Sequence, residues 1–160
     1  MVDNVFKPQT RDEVEVTASQ IPDSMVESYF INACAEEHEL IIDALINRLD
    51  SIPDACVVTC QKSSILKKLI DHGANADAWN GYALLKHCKT GNFECAKILV
   101  ENGSSIESIA IEWAIVGEFT DIVKLIVDNS RTIHRAAFGI AKSVGNEEII
   151  SILNNKNNGE

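Results

Sequence analysis

Shifted by 27 residues, this chain lies over itself. ECAKILVENGS at 94–104 aligns with DIVKLIVDNSR at 121–131, and EIISILNNKNN at 148–158 follows after another 27. Leu84, Ile111 and Phe138 keep the same spacing, as do His87, Ala114 and Ala141, while Gly91 and Gly145 stand two periods apart. A period of roughly 20 to 50 residues marks stacked supersecondary units, each burying its apolar face on its neighbour. Such an array presents an extended surface, so binding is the default expectation and catalysis needs evidence of its own.

Size and charge narrow the classes. At 160 residues with 46% apolar and 24% charged side chains, the chain has material for one core. No apolar run approaches the roughly 18 residues of a membrane span, and the first twenty residues are acidic rather than basic then apolar, so a cytoplasmic protein without a membrane partner is expected. The five cysteines (34, 56, 60, 88, 95) are odd in number and follow no staple spacing, which predicts reduced, buried thiols. Residues 1–54 hold twelve acids and three bases, against twelve and eleven in the rest. That asymmetry disfavours nucleic acid and predicts a protein partner with a basic surface.

The clearest unit, YALLKHCKTGNFECAKILVENG at 82–103, reads as two short antiparallel helices. Leu84, Leu85 and Cys88 share one face before the Gly91 turn, and Phe93, Cys95, Ala96, Ile98, Leu99 and Val100 form a broader stripe after it. SYFINACAEEHELIIDALI at 28–46 repeats the form two periods upstream, and ACVVTCQKSSILKKLIDHG at 55–73 supplies the unit between, slightly out of register. Ser24 with Glu27 forms a capping-box pattern after Pro22, predicting that the first helix begins near Met25. Residues 1–24 are then a flexible lead-in, 25–157 the repeat domain and 158–160 a polar tail.

LVENGSS, LIDHGANAD, TGNFECAKILV and EFTDIVKLIV resemble the second helix and exit of the ankyrin repeat, and Asn32-Ala33-Cys34 and Trp113-Ala114-Ile115 resemble its first-helix core. The resemblance implies an all-α, ankyrin-like solenoid of about five helix-turn-helix repeats. The repeat here lacks the family's TPLH tetrapeptide and is about 27 residues long instead of 33, so its β-turn fingers are shortened. ANADAWNGY at 74–82 is the longest remaining finger. The family's inner row, carried over, falls on Ala35 and Glu36, Thr59 and Cys60, Lys89 and Thr90, Val116 and Gly117, Ser143 and Val144. Trp79 and Tyr82 flank the longest finger and Trp113 lies on the adjacent inner helix, where aromatic side chains act as binding anchors. The expected binding residues are therefore Trp79, Tyr82, Lys89, Thr90, Trp113, Val116 and Glu36.

Catalytic patterns are thin. Ser64-x-x-Lys67 with Lys89-Thr90-Gly91 imitates a penicillin-binding signature, but both parts fall on repeat helices. Cys34 with His38, and Cys56 with Cys60, have metal-ligand spacing without a second matching pair. His87 beside Cys88 could suggest a thiolate nucleophile, but a partly buried core or groove histidine accounts for the position better. No catalytic residue, cofactor or metal is expected. The expected function is a protein-protein interaction module acting as an inhibitor, an antidote or immunity protein, or a host-interaction protein. The alternatives are an acidic nucleic-acid mimic that blocks a basic cleft and, from another class, a small metal- or thiol-dependent enzyme.

Overall fold

The computed structural model describes residues 10–158. These form eleven α-helices and one short 3-10 turn, with no strand among the described residues. The fold is thus all-α. By their internal contacts the residues divide into two units, meeting between Asn75 and Ala76.

In the first unit, α1 (Arg11–Ser19) opens at a capping box: the Thr10 hydroxyl accepts from the Glu13 N–H, and the Glu13 carboxylate accepts from the Thr10 N–H at 2.9 Å. Val14, Ala18 and the following Ile21 are buried. Arg48 fastens this end, its guanidinium donating to the carbonyls of Ala18 (2.6 Å) and Ile21 (2.8 Å) and pairing with Asp23 (2.6 Å). The loose lead-in expected over 1–24 is therefore packed helix from Arg11 onward, and residues 1–9 lie outside the described residues. Two buried side chains four apart are too few for the periodicity of RDEVEVTAS to stand out. The Ser24–Glu27 capping box does not form either. Instead α2 (Asp23–Ala35) starts at Pro22, whose ring holds φ at -58°.

α2 packs on α3 (Glu39–Leu45) and on α4 (Asp54–Thr59), the 3-10 turn Ile46–Arg48 continues α3, and α4 packs on α5 (Ser63–Asp71). Phe30, Ile42, Leu45, Ile65, Leu66 and Leu69 fill this core. An ion pair between Lys68 and Asp43 links α5 to α3.

The second unit holds three helix pairs: α6 (Ala78–Thr90) with α7 (Phe93–Glu101), α8 (Ser108–Val116) with α9 (Thr120–Asn129), and α10 (Arg135–Val144) with α11 (Glu147–Asn158). The second helices start at 93, 120 and 147, so the 27-residue sequence period is the spacing of the pairs. α6, α8 and α10 form one layer and α7, α9 and α11 the other. Leu84, Leu99, Ile115, Ile122, Ile126 and Ile149 are the large buried side chains of its core.

The turn inside each pair requires a left-handed residue. Gly91 (φ 74°) and Gly145 (φ 81°) supply it at no steric cost. One period after Gly91 the position is Glu118 (φ 54°), and two periods before it Glu37 (φ 58°), each carrying a strain of about 1 kcal/mol. Both carboxylates bridge to a neighbouring pair, which offsets that strain. Glu118 accepts from the Asn146 side chain at 3.0 Å and Glu37 from the Gln61 N–H at 3.0 Å.

Candidate functional site

The sequence of α8, SIAIEWAIV, is apolar on nearly every side, and such a helix is normally buried all round. Here Ala110, Ile111, Ala114 and Ile115 are covered, while Ile109 (45%), Trp113 (38%) and Val116 (54%) remain exposed. Spacings of four and three place those three on one helical face. Their counterparts one period earlier are Tyr82, Lys86 and Lys89 on α6, which packs directly against α8. The Lys89 ammonium sits 4.4 Å from the centroid of the Trp113 ring, a cation–π contact that joins the two helices across the face. Thr90 is exposed, and its hydroxyl donates to the Lys86 carbonyl at 3.1 Å.

The start of α6 departs from the expected finger. Trp79 (φ 52°, ψ 46°), Asn80 (φ 54°, ψ 53°) and Gly81 (φ 80°, ψ 5°) make a left-handed turn where 74–82 was expected to carry a β-turn. For a residue as bulky as tryptophan this conformation costs about 1–2 kcal/mol. Two features hold it. The Asp77 carboxylate accepts from the Ser105 N–H (2.8 Å) and hydroxyl (3.1 Å). Gly81 also lies so close to the Ser105 carbonyl that a Cβ there would come within 2.5 Å of its oxygen. The turn leaves Trp79 and Tyr82 half exposed, with ring centroids 6.1 Å apart and planes tilted by 36°. Backbone strain beneath exposed aromatic rings is the kind of outlier that points toward function.

Six of the seven expected binding residues therefore lie on the adjacent helices α6 and α8. Glu36 does not join them. It belongs to the first unit, as the C-cap of α2, with its carboxylate on His38 Nε2 at 2.9 Å. Cys60, placed on the inner row by resemblance, is fully buried. Ile109 and Lys86 were missed. The spacing of Ile109, Trp113 and Val116 is visible in the sequence, but a helix apolar on nearly every side gives little sign of which face stays open.

The thiols and the His87 imidazole that suggested chemistry are buried. His87 has no exposed surface, and neither ring nitrogen has a hydrogen-bond partner. Burial, and secondarily the charge of Lys86, lowers its pKa to about 4, while burial pushes the Cys88 thiol up to about 12. Both are neutral near pH 7, the reverse of a thiolate–imidazolium pair. In the first unit the Cys34 thiol is pushed upward, first by its hydrogen bond with Cys56, then by burial and the fields of Cys56 and Cys60. Cys34 is buried whereas His38 is exposed, so that pair is split. On α5 the Ser64 hydroxyl donates to Glu39 (3.2 Å) and Lys67 pairs with Asp71 (3.0 Å). Among the described residues no three His, Cys, Asp or Glu side chains are placed to hold a metal ion. No helix among them is long and apolar enough to cross a membrane.

Compared with known families, residues 55–136 match a family model described as ankyrin repeats, in three copies. No curated protein sequence matches the chain.

Proposed function

Because the chain belongs to the ankyrin repeat family, whose members generally act as protein-protein interaction modules, we propose that it binds a protein partner on the α6–α8 face of its second unit. The observation that carries the reading is the open apolar face of α8, Ile109, Trp113 and Val116, set beside Tyr82 and the exposed Trp79. Contiguous apolar side chains in solvent are unfavourable unless a partner covers them, and aromatic residues are the commonest anchors of such contacts. Inhibitor, antidote and host-interaction roles all fit this reading, since each works by occupying a partner's surface. The five free thiols, all buried, suit a reducing cytoplasmic compartment.

The acidic first unit supports nucleic-acid mimicry less well. Asp23 is paired with Arg48, Asp43 with Lys68 and Glu36 with His38, and Glu37 and Glu39 serve Gln61, Lys62 and Ser64. Part of the unit's negative charge is therefore balanced by its own cations, which weakens the field it offers to a basic cleft.

Site-specific photo-crosslinking tests the reading. A photoreactive residue at position 79 or 113 should form an adduct with one protein in extracts of the source organism, and one at Lys124 on the opposite layer should not. Adducts from position 124 alone, or from none of the three, would refute it.

A further inference from the structure

Resting on that reading, we infer that the occupant of the α6–α8 face is an acidic segment carrying apolar side chains. The protein has 24 acidic and 14 basic residues, yet this face is built without a carboxylate: Tyr82, Lys86 and Lys89 on α6, Ile109, Trp113 and Val116 on α8. On α10 the same three positions are Ala136, Ile140 and Ser143, which continue the layer without adding charge. Of the acids closest in sequence to these positions, Asp77 is held by Ser105, Glu118 by Asn146, Glu112 is half-buried on the flank of α8, and Glu107 is exposed at the N-cap of that helix.

The opposite layer is different. There Lys97 pairs with Glu101 and Lys124 with Asp128 along their own helices. Lys89 instead meets an indole ring. An ammonium seated on a ring is desolvated on that side and keeps its donors for an incoming group. A carboxylate arriving there forms a charge-assisted hydrogen bond, which neighbouring apolar contacts keep dry, whereas an incoming cation is repelled.

Overall charge argued for a basic partner, but the local field argues the opposite. Across an interface only groups within roughly a Debye length, about 8 Å at physiological salt, act strongly. The same distinction weighs against nucleic acid. A polyanion is repelled at long range by a protein of net charge -10, while a short segment with a few carboxylates and apolar anchors is much less so.

The test titrates the full-length protein into labelled peptides of about twelve residues: one alternating Glu or Asp with Leu or Phe, one with Lys replacing the acids, and one with Ser replacing the apolar residues. An oligothymidylate of similar length is the fourth probe. The acidic–apolar peptide should bind at least about tenfold more tightly than the other three. Lys89→Glu should weaken it about tenfold or more, with Lys89→Arg retaining binding, Lys124→Glu leaving it unchanged and helical circular dichroism constant throughout. Preference for the basic peptide or the oligonucleotide, equal affinities, absence of peptide binding, or insensitivity to Lys89→Glu would overturn the inference. So would self-association in sedimentation that Lys89→Glu abolishes, since the occupant would then be a second copy. A protein adduct from position 113 that forms equally well in Lys89→Glu would retire the acidic occupant while leaving the binding face standing. Absence of any adduct would retire both.

Discussion

His87→Ala should remove an acid sensitivity that the wild-type protein carries in its second unit. The imidazole is fully buried, both nitrogens lack partners, and its pKa falls from the ordinary 6.5 to about 4. Between those values the unfolded chain binds a proton that the folded chain refuses, so stability is complete above about pH 6.5 and declines as the pH falls toward 4. At 1.36 kcal/mol per unit the decline amounts to about 3 kcal/mol by pH 4 and about 2 kcal/mol by pH 5. Alanine is sterically at home in this position, because Ala114 and Ala141 occupy it one and two periods later and both are buried. At neutral pH the variant loses packing but also two unsatisfied nitrogens, and these effects oppose each other. The pH slope is the cleaner readout. Urea unfolding followed by tryptophan fluorescence reports the second unit alone, since Trp79 and Trp113 are the only tryptophans. Wild type should lose about 2 kcal/mol between pH 7 and pH 5, and the variant less than about 0.5 kcal/mol. Equal slopes would refute the assignment of this sensitivity to His87, as would an imidazole titration by NMR above pH 6.

Gly81→Ala places a side chain at φ 80° with its Cβ 2.5 Å from the Ser105 carbonyl oxygen, so the second unit should lose about 2 kcal/mol or more; unchanged thermal melting would show that the turn relaxes freely. Arg48→Ala removes the bonds to Ala18, Ile21 and Asp23, and amide exchange should accelerate across residues 11–19 with little change on α5. Uniform exchange in the two proteins would mean that α1 is held by Val14 and Ala18 alone. Cys88, buried with its pKa at about 12, should react with a thiol reagent only after denaturant is added; rapid labelling at neutral pH, abolished in His87→Ala, would restore the thiolate reading.

The sequence by itself determined the helix pairs and their spacing. The 27-residue shift locates α7, α9 and α11, and the glycines at 91 and 145 mark the turns, because helix periodicity and left-handed closure are local properties. Tertiary structure decided what local rules leave open. Glu118 and Glu37 adopt the glycine conformation because their carboxylates reach a neighbouring pair, a contact that a single repeat cannot reveal. Trp79 is held left-handed by Asp77 and Ser105, 28 residues apart. α1 packs because Arg48, 27 residues beyond Ile21, closes its end. Above all, α8 is apolar on nearly every side, so only the packing of α6, α9 and α10 around it selects which side chains are covered and leaves Ile109, Trp113 and Val116 open. Residue type sets how much apolar surface a helix carries, and the arrangement of its neighbours sets where that surface remains uncovered.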